Sequence, residues 1–295
     1  MSSANNKWTV QNMADQSGRT FIVTGANSGL GEVAARSLAA AGGHVILACR
    51  NVDKGDTVAR SVGTRAEVRQ LDLADLASVR AFADSVDKVD VLINNAGVMA
   101  VPHRKTADGF EMQFGTNHLG HFALSGLLLP KISDRVVTLS SNMHLVGSIN
   151  LGDPNFEQRR YDRWIAYCQS KLANLMFAYE LQRRLDKAGS KVKSLGAHPG
   201  YAATELQGRT ESIQDKVLAL GNRLIAQSAE MGALPELYAA TEPGAPGGGY
   251  VGPDKLGNNR GHPKLQGSSK KSKDEAVAAQ LWELSEKLTG VRFAL

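Results

Sequence analysis

The segment Thr24-Gly25-Ala26-Asn27-Ser28-Gly29-Leu30-Gly31 decides the fold class of this chain. It follows a short β-branched run, Thr20 to Thr24, and opens a stretch with helical spacing, Leu30 to Ala41. Glycines in a strand-to-helix turn let the backbone approach a pyrophosphate, which free amides and the positive end of the helix dipole stabilise. The segment therefore predicts a nucleotide-binding turn. A tight turn without a ligand is the alternative.

Outward from this turn, short strands alternate with helices along the chain. Apolar runs rich in β-branched residues predict strands at Thr20 to Thr24, His44 to Cys49, Ala66 to Leu71, Val89 to Asn94, Arg135 to Ser140 and Lys191 to Ala197. Three- and four-residue apolar spacing predicts helices at Leu30 to Ala41, Leu76 to Val86, Phe110 to Leu129 and Trp164 to Leu185. This alternation is typical of an α/β fold, a single Rossmann-like doubly wound parallel sheet with helices on both faces.

The chain of 295 residues reads as one domain, because no repeat or composition break divides residues 18–252. Residues 1–17 are predicted to be a polar tail, and 253–295 a loop and helix packed on the domain. Pro243 to Gly267 is rich in glycine and proline, which predicts a loop. After it, Ser272-Lys273-Asp274-Glu275 is a capping-box pattern that precedes an apolar stripe of Val277, Leu281, Leu284 and Leu288.

The composition excludes several classes of protein. Hydrophobic residues make up 42% and charged residues 21%, which is typical of a folded globular chain. The net charge of +5 is spread among interspersed acids and bases, so a nucleic-acid partner is not expected, and the basic cluster Lys270-Lys271-Ser272-Lys273 is assigned to a solvated loop. Only Cys49 and Cys168 occur, without zinc spacing, so no metal is expected. Met1 to Ser17 has no apolar run for a signal peptide or membrane anchor, and a cytoplasmic location is expected.

Tyr167 and Lys171 stand four residues apart in Tyr-Cys-Gln-Ser-Lys. On a helix this spacing puts both side chains on one face, one turn apart. Two unit charges about 4 Å apart interact by about 4 kcal/mol at an effective dielectric of about 20. The Lys171 ammonium is therefore expected to lower the pKa of the Tyr167 phenol towards neutrality, as a cationic oxidised nicotinamide nearby would do. The pair predicts an oxidoreductase that uses a dinucleotide.

The end of the second predicted strand favours NADP(H) over NAD(H). An enzyme that uses NAD typically carries an acid there, which bonds the ribose 2′-hydroxyl. Cys49 occupies that place and Arg50 follows it. A guanidinium suits a 2′-phosphate in geometry and charge, whereas an acid would repel it. The alternative is that Arg50 is an ordinary surface cation.

With these residues assembled, the chain resembles the short-chain dehydrogenase/reductase family, and within it a soluble, bacterial-type member of the retinol-dehydrogenase-like subgroup. The resemblance covers nearly the whole domain. It is carried by Thr24 to Gly31, Ala48-Cys49-Arg50, Asp72-Leu73, Asn94-Asn95-Ala96-Gly97, Asn117-His118-Leu119-Gly120, Ser140-Ser141, Tyr167 to Lys171, Pro199-Gly200 and Thr204.

The resemblance implies a set of cofactor-binding residues. Asp72 and Leu73 would contact the adenine, and Lys171 the nicotinamide ribose. The whole implied set is Gly25, Asn27, Ser28, Gly29, Leu30, Gly31, Arg50, Asp72, Leu73, Asn94, Ala96, Gly97, Tyr167, Lys171, Pro199, Gly200 and Thr204.

It also implies four catalytic residues, Asn117, Ser141, Tyr167 and Lys171. Tyr167 would exchange a proton with the substrate oxygen, and Ser141 would donate a hydrogen bond to that oxygen. Asn117 would lie in a locally opened helix that seats a water leading to Lys171. Ser141 is favoured over Ser140 because alternation along a strand sends the two side chains to opposite faces.

Two departures from the family pattern limit what the resemblance implies. NADP-dependent members often carry a basic residue where this chain has Ser28, so cofactor choice depends mainly on Arg50. Many retinol-dehydrogenase-like enzymes carry an apolar N-terminal anchor, which the polar run from Met1 to Ser17 does not resemble. Retinal is therefore not the expected physiological substrate.

The expected reaction is the interconversion of a carbonyl compound and an alcohol with NADP(H). A helical substrate lid is expected at about 205–237, and its apolar positions suggest a hydrophobic aldehyde or ketone, although the same stripe could pack on the domain or on a second subunit. Those positions are Val217, Leu218, Leu220, Leu224 and Ile225.

Other functions and assemblies stay open at this point. One alternative is a non-catalytic NADP(H)-binding redox sensor or protein-interaction regulator, and another is nucleotide-sugar epimerisation or dehydration. The resemblance also implies a possible homodimer or homotetramer through the helices at Phe110 to Leu129 and Trp164 to Leu185.

Overall fold

The fold is built on one eight-stranded sheet, seen in a computed structural model that describes residues 7–201 and 227–295. In chain order the strands are β1 (Thr20–Thr24), β2 (His44–Cys49), β3 (Ala66–Gln70), β4 (Val89–Asn94), β5 (Ile132–Leu139), β6 (Lys193–Ala197), β7 (Tyr250–Lys255) and β8 (Arg260–Leu265). They lie side by side as β3-β2-β1-β4-β5-β6-β7-β8, and every pair is parallel except β7 with β8. The strand order reverses between β1 and β4, which is where a doubly wound sheet forms its binding crevice.

Helices cover both faces of the sheet. They are α1 (Gly29–Ala40), α2 (Val52–Val62), α3 (Leu76–Asp84), α4 (Met112–Phe114), α5 (Gly120–Leu128), α6 (Arg163–Lys187), α7 (Ala229–Thr241) and α8 (Glu275–Thr289). A π-helical segment, Gly115–Leu119, joins α4 to α5. The predicted Rossmann-like architecture is confirmed.

Strand β1 shows why these sequences form buried parallel strands. Phe21 and Val23 point to one face and pack in a cluster with Leu38 of α1. Ile22 points to the other face and packs in a cluster with Phe122 of α5. Because side chains alternate along a strand and both faces carry helices, nearly every position must be apolar.

The C-terminal hairpin corrects the loop predicted over Pro243 to Gly267. Strands β7 and β8 pair antiparallel there, with Pro253 opposite Pro263. Two prolines and several glycines hide the strand pattern in the sequence. They are tolerated because β8 is an edge strand, and because β7 pairs with β6 only through Tyr250 and Val251, before Pro253 is reached.

The N-terminal tail and the lid differ in structure from what the sequence predicts. The described end of the N-terminal tail includes Trp8, which is 9% exposed, stacks edge to face on Tyr238 of α7 and donates to Glu242. The predicted lid ends in α7, whose Leu234 and Leu237 belong to the core rather than to a cover over the cleft. The apolar lid positions between 217 and 225 lie outside the described residues.

The C-terminal helix α8 packs on α5 and α6. Asp274, rather than Ser272, caps it by accepting from the Val277 backbone N–H. Trp282 stacks on Phe177 of α6 with ring centroids 5.8 Å apart and meets Phe122 of α5 edge to face. The α5–α6 face assigned to a dimer is thus covered by α8 of the same chain. A homodimer or homotetramer has to use another surface or displace this helix.

Candidate active site

A cleft of about 520 Å³ opens at the carboxyl ends of the central strands. Most residues expected at the site line it. They are Gly25, Asn27, Ser28, Gly29, Leu30, Gly31, Arg50, Asp72, Leu73, Ala96, Gly97, Ser141, Tyr167, Lys171, Pro199 and Gly200. Thr204 lies outside the described residues, and Asn94 and Asn117 lie behind the cleft wall.

The glycine-rich turn is shaped as a cradle for a diphosphate. Gly25 has a φ of 67°, a conformation that disfavours other residues, and its N–H donates to the Ala48 carbonyl. A Cβ on Gly31 would lie 2.6 Å from the Gly25 carbonyl oxygen, so the turn closes only with glycine there. Ser28 makes no side-chain capping bond to α1, which leaves the first amides of that helix to bind an anion. The site therefore fits the pyrophosphate of a dinucleotide.

The adenosine end of the cleft carries two cations. Arg50 lines it, and so does Lys54 in the first turn of α2. Cys49, at the position of the acid in NAD enzymes, is buried, and burial raises the pKa of its thiol to about 11, so it stays uncharged. Lys54 was not expected at the site, because α2 was not predicted from the sequence. Apolar positions are sparse in that helix, and only the Asn51 cap, which accepts from the Lys54 N–H, marks where it begins.

The structure corrects the prediction for Asn94. Its side chain is fully buried and donates to Ser125 Oγ at 2.9 Å and Thr138 Oγ1 at 3.3 Å, away from the cleft. Asn95 lines the cleft instead, and its amide donates to the Thr24 carbonyl at 2.7 Å. Side-chain alternation at the end of β4 explains the exchange of roles between these neighbours.

Tyr167 and Lys171 lie on the buried wall at the other end of the cleft, at 5% and 4% exposure. The Lys171 Nζ is 5.7 Å from the centroid of the Tyr167 ring and donates to the Leu139 carbonyl at 3.3 Å. The predicted helical spacing therefore does bring the ammonium and the phenol together.

The electrostatics of this pair correct the sequence prediction. Burial raises the pKa of Tyr167 to about 12, although a hydrogen bond with Ser141 acts in the opposite direction. Burial also lowers the pKa of Lys171 to about 8. Both shifts disfavour charge, because desolvation outweighs the attraction that was calculated for a partly solvated pair. A lowered phenol pKa is therefore not a property of the protein without its cofactor.

The side chains of the two consecutive serines point to different surroundings. Ser140 is buried and its hydroxyl donates to the Lys171 carbonyl at 2.8 Å, which fixes the end of β5 against α6. Ser141 is half-buried, hydrogen-bonds with Tyr167 and begins the short 3-10 helix Asn142–Leu145. Of the two serines, Ser141 is the one that hydrogen-bonds with the Tyr167 phenol.

Asn117 lies in the π-helical segment, where the Gly120 N–H donates to the carbonyl of Gly115, five residues earlier. The Asn117 side chain accepts from the Val98 N–H at 2.8 Å, and donates to the Val98 carbonyl and to Ser170 Oγ, each at 2.9 Å. It thus joins the wall of the cleft to the residue before Lys171. The locally opened helix expected at this position is present.

Several apolar and aromatic residues near the reactive end were not found from the sequence. Trp164 stands one helical turn before Tyr167, and the two rings meet edge to face with centroids 6.3 Å apart. Helical spacing alone could have identified Trp164 once Tyr167 was placed. The other lining residues of this kind are Val98, Met99, Met143 and Tyr201.

Residues 7–201 and 227–295 contain neither a cluster of metal ligands nor a helix that could cross a membrane. In these ranges no group of three or more His, Cys, Asp or Glu residues could hold a metal ion. Over the same residues, no helix has the length and apolar character needed to span a bilayer.

Comparison with known proteins agrees with this geometry. Residues 19–215 match the model of the family described as short chain dehydrogenase. The chain belongs to this family. It is 43% identical to human retinol dehydrogenase 13 over 93% of its own length and 85% of that protein. It is 41% identical to mouse retinol dehydrogenase 11 over 93% of its length and 87% of that protein.

A solved structure supports the same assignment. A crystal structure of an uncharacterized protein from Mycobacterium paratuberculosis superposes with a TM-score of 0.86 at 50% identity, covering 98% of this chain and 100% of that one. The chain is therefore a retinol-dehydrogenase-like short-chain dehydrogenase, a member of an oxidoreductase family that binds a nicotinamide nucleotide and acts on small molecules.

Proposed function

We propose that the protein is an NADP(H)-dependent oxidoreductase that interconverts a hydrophobic aldehyde or ketone and the corresponding alcohol. The observation that carries the proposal is the placement of Ser141, Tyr167 and Lys171 on one wall of a cleft whose other end is the glycine-rich turn. This arrangement brings a proton donor to the place where a nicotinamide would lie if its pyrophosphate occupied the turn.

When bound, NADPH supplies the hydride to the carbonyl carbon. Tyr167 gives its phenolic proton to the carbonyl oxygen, and Ser141 donates a hydrogen bond to the same oxygen as negative charge develops on it. Lys171 would hold the nicotinamide ribose and return a proton towards Tyr167. The Asn117 side chain keeps the Val98 wall and Ser170 in place beside them.

Preference for NADP(H) is supported by charge at the adenosine end. Arg50 and Lys54 both line the cleft there, and both side chains are exposed enough to meet a 2′-phosphate. The buried, uncharged thiol of Cys49 neither repels that phosphate nor bonds the ribose 2′-hydroxyl as an acid would. The two free cysteines also suit a reducing compartment, and we propose the cytoplasm.

A hydrophobic substrate is supported by the side chains around Tyr167. Met99, Met143 and Trp164 line the cleft near the reactive end and offer adaptable sulfur and aromatic surface. Such surface stabilises an apolar group next to the carbonyl and gives little to a charged one.

The proposal is tested by mixing the protein with NADPH or NADH and a panel of aliphatic, aromatic and polyene aldehydes and ketones, while nicotinamide absorbance is followed. Turnover with NADPH is expected, and Tyr167→Phe should lower kcat by about 10²- to 10⁴-fold. Tyr179→Phe is the matched control, since this tyrosine is on the same helix, does not line the cleft and donates its hydroxyl hydrogen to Ser268. NADPH binding without turnover on any carbonyl would favour the redox-sensor alternative.

A further inference from the structure

His121 connects the nucleotide-binding turn to the π-helical segment. It is the second residue of α5 and is 1% exposed. Its Nδ1 lies 2.9 Å from the Asn117 carbonyl oxygen, and its Nε2 lies 2.9 Å from the Thr24 hydroxyl. Thr24 is the last residue of β1, immediately before the glycine-rich segment. The His121 imidazole therefore links the π-helical segment that carries Asn117 to the end of β1, where the nucleotide-binding turn begins.

The hydrogen bonds fix which nitrogen of His121 carries the proton. A carbonyl only accepts, so the proton must be on Nδ1. Burial lowers the pKa of His121 to about 4, and the nearby Lys171 ammonium also lowers it. The neighbouring His118 ring is likewise kept neutral, because burial lowers its pKa to about 3. A neutral imidazole has a single N–H, so Nε2 must accept.

The Thr24 hydroxyl supplies the matching donor. Its oxygen accepts from the backbone N–H groups of Asn95 at 3.0 Å and Ala96 at 2.9 Å. Its own hydrogen can reach Nε2 of His121 at 2.9 Å or the Ile93 carbonyl at 3.4 Å, and the shorter contact is the better bond. The hydrogen bonds then run in one direction: the Asn95 N–H donates to the Thr24 hydroxyl, and this hydroxyl donates to Nε2 of His121. Nδ1–H of His121 in turn donates to the Asn117 carbonyl.

We propose that His121 is a positioning residue that holds the Asn117 carbonyl and the Thr24 hydroxyl at a fixed separation, so that the proton-transfer residues stay aligned with the nucleotide. The inference rests on the proposed function, because it assigns a role within the same reaction. His121 touches neither substrate nor cofactor; it acts through Asn117 and through the turn. Loss of the link should therefore affect turnover more than binding.

The kinetic test replaces His121 by Phe, which keeps a ring of similar size and removes both hydrogen bonds. We expect kcat to fall by about 10- to 100-fold at saturating NADPH, with the KM for NADPH changed by less than about 5-fold. His121→Gln, which can both donate and accept, should recover part of the loss. Thr24→Val breaks the other end of the link, and the double variant should be little worse than the poorer single one.

Ser285→Ala is the matched control for lost stability. It removes an equally long buried histidine bond, between His118 Nε2 and Ser285 Oγ at 2.9 Å, which joins the π-helical segment to α8 instead of to β1. It should lower the melting temperature and leave kcat unchanged. If His121→Phe shows only the same loss of stability, with kcat and its pH profile intact, the positioning role is wrong.

A measurement that needs no turnover separates this inference from the proposed function. In protein labelled with ¹⁵N-histidine, NMR should show His121 as the neutral Nδ1–H tautomer from pH 6 to 9, with and without NADP⁺. An Nε2–H tautomer, or titration of this ring above pH 6, contradicts the inference whatever the wild-type protein catalyses. An inactive wild type with the expected tautomer would instead count against the proposed reaction alone.

Discussion

Both ends of the cleft carry positively charged side chains, which are exposed to water at one end and buried at the other. At the adenosine end Arg50 and Lys54 are exposed, and at the reaction end Lys171 is 4% exposed. An exposed guanidinium keeps its charge and acts by attracting an anion through water. For the buried ammonium, removal from water lowers its pKa to about 8, close to the working range of a proton carrier. The first end can select a cofactor, and the second can change protonation.

The largest expected effect comes from removing the buried charge. Lys171→Met keeps the bulk of the side chain and should lower kcat by about 10²- to 10³-fold, because the phenol loses its cationic neighbour. The melting temperature should stay equal or rise, since a buried charge with one long hydrogen bond contributes little to stability. Kinetics at saturating NADPH and thermal unfolding measure the two quantities.

The pH dependence sharpens the same comparison. With its pKa lowered to about 8, Lys171 is charged below that pH and neutral above it, so reductase kcat should fall as pH rises through about 8. This limb should be absent in Lys171→Met and retained in Lys187→Met, an exposed lysine on the same helix. A limb that persists in Lys171→Met would assign the titration to another group.

A smaller effect is expected at the exposed end. Arg50→Ala should weaken NADPH binding by about 10- to 100-fold, the range of one charge-assisted hydrogen bond, while NADH binding changes by less than about 3-fold. Lys54→Ala should have the same sign and a few-fold size. Fluorescence titration at two salt concentrations measures both, and higher salt should weaken NADPH binding selectively.

Arg60→Ala is the control for this prediction, because Arg60 is exposed at the other end of α2 and does not line the cleft. An equal loss for NADPH and NADH in Arg50→Ala would mean that Arg50 contacts a part of the cofactor that both share. The exposed cations would then not explain a preference for NADP(H) over NAD(H).

Local sequence patterns predicted the first six strands. Strand β1 and the turn after it were predicted within a residue, because apolar β-branched runs and glycine spacing depend on neighbours in sequence. The hairpin β7–β8 was missed, because Pro253 and Pro263 are acceptable only at the sheet edge, which the sequence does not reveal.

Burial explains what could not be predicted at the site. The spacing of Tyr167 and Lys171 was correct, but the direction of the Tyr167 pKa shift was wrong, because α6 is buried along most of its length. The cleft is lined by Asn95 and not by Asn94, because alternation at the end of β4 turns the Asn94 side chain into the buried contacts with Ser125 and Thr138. Residue types and spacing thus predicted which groups meet, and tertiary packing decided their charge.

Glu236 shows the effect of burial on a pKa at a place where no other cause contributes to the shift. It lies on α7 at 2% exposure, and neither carboxylate oxygen has a hydrogen-bond partner within residues 7–201 and 227–295. Burial raises its pKa from 4.5 to about 8, so the folded protein holds a proton that the unfolded chain releases. The contribution of the protonated Glu236 to the free energy of unfolding is therefore complete below about pH 4.5 and is lost as the pH rises through about 8.

Glu236→Gln, which resembles the protonated acid but does not titrate, should therefore match the wild type near pH 5 and exceed it at pH 9. The gain in unfolding free energy at pH 9 should be on the order of a few kcal/mol, measured by denaturant titration at pH 5, 7 and 9. Glu230→Gln, exposed in the first turn of the same helix, should show no such gain. A flat difference between Glu236→Gln and wild type across these pH values would mean that water or a rearrangement solvates the carboxylate. Desolvation would then be a weaker explanation for the shifts at Tyr167 and Lys171 as well.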